Sequence, residues 1–187
     1  MRIFPILAGL LLSFAALASS MAQQSDDLAI NHTYQVSAEA FDKLNVALIA
    51  EIYADNACYI PERHDKEIVR GRDSIVALYD KFFGKIRKKN ARIEVDFRVI
   101  DRSRSGDSVT DVGYYLIRFH PAADTGEPVS EYAGKFVTVV KKQTDGKWLL
   151  TLDSSNRAEP RFYYSAKPVG ELYYGLRFDE PAKQDLP

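Results

Sequence analysis

At Ala91 the spacing of the apolar residues changes, and this change constrains the fold more than any other feature of the chain. Beyond it, Ile93, Val95, Phe97 and Val99 alternate with Arg92, Glu94, Asp96 and Arg98, which is the period of a strand with one buried face. Ser105-Gly106-Asp107 supplies a turn, and a second long strand runs from about Val109 to Phe119. A loop from Pro121 to Pro128 leads to a third strand, Tyr132 to Lys142. Thr144-Asp145-Gly146 is a hairpin signal, and a fourth strand follows from Lys147 to Asp153. Before Ala91 the spacing is helical. Leu28, His32, Val36, Ala40, Leu44, Leu48 and Ile52 form a stripe that Phe41 and Ile49 broaden, with a break predicted near Lys43-Asn45. Ala57-Cys58-Tyr59-Ile60 reads as a short strand ended by Pro61. Asp73 is placed to cap a second helix with Ile75, Leu78, Phe82 and Ile86 on one face. Helices followed by a meander of long strands is an α+β arrangement, with helices on one face of a bent sheet.

The first residues read as a secretory signal peptide. Met1-Arg2 is a charged start, Ile3 to Leu17 an apolar run, and Ala18-Ser19-Ser20-Met21-Ala22 a small-residue cleavage pattern. The apolar run is short for a membrane span of about 20 residues and contains Pro5. Cleavage after Ala22 is therefore expected, giving a periplasmic or secreted protein that keeps no membrane segment; a retained N-terminal anchor is the alternative. Without residues 1–22 the chain holds 24 basic against 26 acidic side chains, a balance that argues against a nucleic-acid partner. The basic run Lys85-Ile86-Arg87-Lys88-Lys89 suits a solvated helix end. The single cysteine, Cys58, rules out an internal disulfide and reads as a buried, inert thiol. Asn31-His32-Thr33 is a glycosylation sequon, of consequence only in a host that glycosylates exported proteins.

Two stretches resemble the SnoaL-like branch of the nuclear transport factor 2-like superfamily. The first is Ile52-Tyr53-Ala54-Asp55-Asn56-Ala57, followed after Pro61 by Gly71-Arg72-Asp73-Ser74-Ile75. The second includes Val99-Ile100-Asp101, Gly113-Tyr114-Tyr115, Gly134-Lys135-Phe136-Val137-Thr138-Val139, Asp145-Gly146-Lys147-Trp148, Asp153 and Asn156. The resemblance covers about Leu28 to Asn156. It implies a strongly curved antiparallel sheet forming a cone round a pocket, closed by N-terminal helices and commonly homodimeric. The chain then divides into a signal peptide (1–22), a cone domain (23–156) and an aromatic C-terminal extension (157–187). That extension carries Tyr163-Tyr164 and Tyr173-Tyr174 and is too aromatic for a disordered linker.

Function has to be read from the site, because one fold hosts many activities. In the ketosteroid isomerases of this superfamily a carboxylate base stands just before the proline that ends the first strand, and here that place is Ile60. The matching helix tyrosine falls near Ser37 and the oxyanion aspartate near Lys135 or Phe136, so that reaction is not supported. The resemblance does place an aspartate at Asp153, which could move protons if it faces an apolar pocket, or could cap the strand end. Tyr59 and Tyr115 could line the pocket. Arg118 or Lys135 would favour an anionic ligand if either pointed inward, and would be ordinary strand-face charges if outward. His64 could reach the pocket mouth or be solvated beside Glu62, Arg63 and Asp65. His32, on the helical stripe, reads as a core histidine; no spacing suggests a metal, and no cofactor is implied. Three functions fit: a module binding a small, largely apolar ligand, an acid–base enzyme of the isomerase, cyclase or hydratase type using Asp153, or an assembly domain.

Overall fold

The computed structural model describes residues 6–63 and 65–182, with side chains from Ser20 onward. Helix α1 (Ile6–Lys43) ends where Leu44 takes a left-handed backbone, φ +49°. Asn45 then caps the short helix α2 (Val46–Ile52) by accepting from the Ala47 N–H at 3.0 Å. Strand β1 (Tyr53–Ile60) ends at Pro61, and a two-residue strand β2 (Val69–Arg70) precedes helix α3 (Arg72–Lys88). The α3 N-cap is Gly71, whose φ of +83° suits glycine, so Asp73 lies in the first turn instead of capping. The four long strands are β3 (Arg92–Ser105), β4 (Ser108–His120), β5 (Ser130–Lys142) and β6 (Trp148–Ala158). A short helix α4 (Pro160–Ser165) opens the C-terminal extension.

The sheet order is β2-β1-β6-β5-β4-β3. It is mixed, not purely antiparallel: β1 runs parallel to β6, the crossover being made through α3 and the β3–β5 meander. Strand β6 outlasts the expected Asp153 end, because its polar residues Ser154 to Arg157 still pair with β5 through the main chain. The three N-terminal helices cover one face, and with the curved sheet they form a cone.

The buried stripe of α1 differs from the expected one. Val36, Ala40 and Ile52 are buried as expected, but each step of four residues advances about 400°, so the stripe drifts off the packed face at Leu28 and His32. Ile30, Thr33, Tyr34, Ala40 and Phe41 are buried, whereas Leu28 is 64% exposed. His32 is an exposed surface residue bonded to Gln35, not a core histidine.

A polar cluster fixes α1 to β3 and β4. Arg102 donates two 2.7 Å bonds to Asp111, one of 2.6 Å to Asp27 and one of 3.0 Å to the Asn31 side-chain oxygen. Tyr34 donates to the Oδ2 of the same Asp111 at 2.8 Å, an oxygen it shares with Arg102. Burial works against the Arg102 charge, but Asp111 and Asp27 more than offset it and raise its pKa. The Asn31 amide nitrogen, which a glycan would need, donates to the Glu171 carbonyl at 2.7 Å, so the sequon is spent on tertiary structure.

The extension lies on the convex face of β3 and β4. Arg98 reaches the carbonyls of Tyr163 (2.8 Å) and Phe178 (3.0 Å) while lying between the rings of Tyr163 and Tyr174. Beside it Asp96 accepts from the Arg177 N–H at 2.8 Å and from the Tyr163 and Tyr173 hydroxyls. Two main-chain bonds, Val99 to Tyr173 and Gly175 to Phe97, add the extension to the free edge of β3. Gly175 is required there, since a Cβ would come within 1.9 Å of the Asp96 carboxylate.

Candidate functional site

The concave face and helices α1 to α3 enclose a cavity of about 670 Å³. Its floor is buried and holds Tyr34, Phe136 and Thr138; its rim is exposed and holds Arg63, Lys66, Lys81 and Lys85. On the sheet wall, strict alternation along β6 would put Leu150 and Asp153 on opposite faces. A bulge prevents this: Val139 pairs with Leu152 and Val140 with Leu150, leaving Thr151 as the extra residue. Thr151 donates its hydroxyl to the Val139 carbonyl at 3.1 Å, and Leu150 and Asp153 both face the cavity.

Asp153 is held from one side only. The Tyr53 hydroxyl donates to its Oδ2 at 2.5 Å, while its Oδ1 has no hydrogen-bond partner among the described residues. Since no fully buried polar side-chain atom is left without a partner among those residues, Oδ1 opens onto the cavity. Burial pushes the Asp153 carboxyl up to about 6, against the lowering effect of the Tyr53 bond. Three further phenols surround it. Tyr79, from α3, has its ring 6.5 Å from Tyr53 and 6.1 Å from Tyr59. Tyr115 donates to Glu62 at 3.1 Å, and Glu62 is also ion-paired with Arg157. Burial, and then the neighbouring carboxylates and phenols, raise all four phenols above their ordinary value, so each stays protonated and can donate. Tyr115 can lie along the wall because its cross-strand partner is Gly134, where a Cβ would sit 2.3 Å from the ring.

No family model and no curated relative matches the sequence. Solved structures do match. An NTF2-like protein with a cystatin-like fold from Novosphingobium aromaticivorans superposes with a TM-score of 0.64 at 13% identity, over 76% of this chain and 88% of its own. ActVI-ORFA from Streptomyces coelicolor gives 0.60 at 16% identity, over 70% of this chain and 95% of its own. A ketosteroid isomerase-like protein from Erwinia carotovora atroseptica gives 0.57 at 12% identity, over 72% and 98%. The chain has the nuclear transport factor 2-like fold.

Within that fold, Asp153, Tyr59 and Tyr115 come together at the cavity wall. Arg118 and Lys135 do not join them. Tyr115 and Phe136 face inward, so Arg118, three residues beyond the one, and Lys135, one residue before the other, face outward. Arg118 is tied on the convex side to Glu131 at 2.7 Å and to the Tyr164 hydroxyl at 3.1 Å, and Lys135 is solvent-exposed. Any anionic preference of the cavity must therefore come from other residues. His64 lies outside the described residues. Of the positions expected from ketosteroid isomerases, Ile60 pairs with Ser154 at the end of β1, Ser37 bonds back to the Thr33 carbonyl at 2.9 Å, and Phe136 lines the cavity. Cys58 is half-buried instead of fully buried, and is unbonded to another cysteine.

Tyr53, Tyr79 and Glu62 also belong to the site, although the sequence patterns do not single them out. Tyr79 follows Leu78 on the α3 stripe and is legible as a flanking position. Tyr53 is not, because it opens β1 in a stretch of helical spacing. Among the described residues no three His, Cys, Asp or Glu side chains converge to hold a metal ion, and no helix is long and apolar enough to cross a membrane.

Proposed function

We propose that the protein is an acid–base catalyst acting on a small, largely apolar carbonyl compound, in a reaction of the isomerase, cyclase or dehydratase kind. One observation carries this reading: Asp153, with its pKa raised to about 6, presents to an apolar cavity, beside protonated phenols, an oxygen with no hydrogen-bond partner among the described residues. Ionised at neutral pH, Asp153 takes a proton from the carbon next to the carbonyl. The C–H electron pair forms a carbon–carbon double bond, the carbonyl π pair moves onto the oxygen, which a phenol holds by hydrogen bond, and the proton returns to carbon as the carbonyl re-forms. A carboxylate near pKa 6 suits both the taking and the returning of that proton.

The test is proton exchange on a probe that needs no knowledge of the natural substrate. With 2-tetralone in D2O, the protein should accelerate deuterium uptake at the carbon between ring and carbonyl, followed by proton NMR. The rate should rise with pH through about 6 and fall by about 100-fold or more in Asp153→Asn. No acceleration, or an unaffected Asp153→Asn, would sink the catalytic reading and leave a binding cavity.

Two further readings accompany this one. The chain is exported, supported by the pattern of residues 1–22 and by the described contacts of α1 with the sheet, the first of which is at Asp26. It pairs with a second copy through the convex side of β5, β6 and β1, where Val137 is 40% exposed and Val139, Leu152 and Ile60 are half-buried.

A further inference from the structure

The cavity rim carries more positive charge than a purely apolar ligand would call for. Arg63 and Lys66 stand in the loop after β1, and Lys81 and Lys85 one turn apart on α3, all four on the lining and exposed. Two carboxylates lie beside them and are already engaged. Glu62 is bonded to Tyr115 and Arg157, and Asp65 accepts two 2.8 Å bonds from Arg63 with Lys66 4.0 Å away. Among the described residues Lys81 and Lys85 make no ion pair, and the acid next to Lys81 in the chain, Asp80, is paired with Arg87 at 3.3 Å. Lys81 and Lys85 flank Leu78 and Phe82 on the cavity-facing stripe of α3, so their stems extend its apolar wall while their ammonium groups stay in water.

The interior has the opposite bias. Its lining is mostly aromatic and aliphatic, and Asp153 in the wall would repel an anion when charged, with Glu62 adding to that bias nearer the mouth. An anion is therefore stabilised at the rim and disfavoured inside. We infer that the ligand is an amphipathic anion, an apolar body carrying one carboxylate, held with the carboxylate at Lys81 and Lys85 and the opposite end against Asp153. This rests on the ligand cavity of the proposed function and adds a direction of entry. The group that reacts at Asp153 is the end of the molecule remote from its charge.

The experiment compares two probes with one skeleton, 1-naphthylacetate and 1-naphthylacetamide, bound to the full chain at pH 8 and followed by naphthalene fluorescence. The carboxylate should bind about fivefold more tightly than the neutral amide, as two exposed ion pairs allow. Added salt should erode that preference. Lys81→Gln/Lys85→Gln should abolish or reverse it while leaving the amide affinity in place, which shows that the cavity is intact. Equal affinities for the two probes, or a preference untouched by the double substitution, would overturn the inference and leave the Asp153 reading standing. Binding of neither probe overturns it too, and the exchange assay then decides about Asp153 by itself.

Discussion

At the scale of single residues, Asp153 couples stability to pH with a definite sign. Its folded pKa of about 6 lies above the ordinary 3.8, so the native state holds its proton more tightly than the unfolded chain does. Between about pH 4 and 6 the native state binds more protons, and stability falls as the pH rises through that window. Above it the cost is constant, at most about 3 kcal/mol for a two-unit difference. Asp153→Asn keeps the shape and can still accept from Tyr53, yet has no charge to bury. Its melting temperature should exceed that of the parent protein at pH 8 and match it near pH 4. Thermal melts at the two pH values decide the point. A variant that melts well below the parent at both would make the Asp153 contact with Tyr53 a structural one.

At the scale of elements, the C-terminal extension acts as a clamp on the sheet. It covers Leu116 and Ala133, adds main-chain bonds to the β3 edge and supplies the partners of two buried charges, Asp96 and Arg98. Removing it leaves those charges with much of their bonding gone, and breaking a buried polar pairing of this kind costs about 3–5 kcal/mol. Truncation after Glu159, which spares all of β6, should therefore lower the melting temperature by about 10 °C in a domain of this size. It should also increase binding of an apolar dye. A truncated chain that melts with the parent protein would show the extension to be dispensable. Helix α1 is held by a separate device. That helix is fixed to β3 and β4 through Asp27, Arg102 and Asp111, and the extension meets it at Asn31 and Asp42.

At the scale of the whole molecule, export and pairing are read by one measurement. Native mass spectrometry of protein recovered from outside the cytoplasm should show a subunit beginning at Gln23 and a species of twice its mass. Cleavage there leaves intact the contacts from Asp26 onward that seat α1 on the sheet. A subunit beginning at Met1 would overturn the localisation, and a species of single mass would overturn the pairing through β5 and β6. The two outcomes are independent, because one is read from the mass of the subunit and the other from the mass of the assembly.

The order of helices and strands is legible in the sequence, because it depends on periods and turn residues that are local in the chain. The alternation from Ile93 to Val99, the turn at Gly106 and the proline after Ile60 each act within a few residues, and each stands at the place its residues mark. The two wall tyrosines, Tyr59 and Tyr115, are legible as candidates for the same reason of position on strands, whereas Asp153 is singled out by the family resemblance. The facing of side chains is not legible, since it is set by register with strands far away in sequence. The bulge at Thr151 turns Leu150 and Asp153 to one side, and nothing local marks it. Arg118 points outward because Glu131 and the extension hold it there, although its residue type suited an anion site equally well. Above all, the group that engages Asp153 is Tyr53, 100 residues earlier, brought in by parallel pairing of β1 with β6. Chain-local forces determine which segments are helix or strand, whereas the chemistry of the cavity depends on long-range pairing and packing that no local pattern encodes.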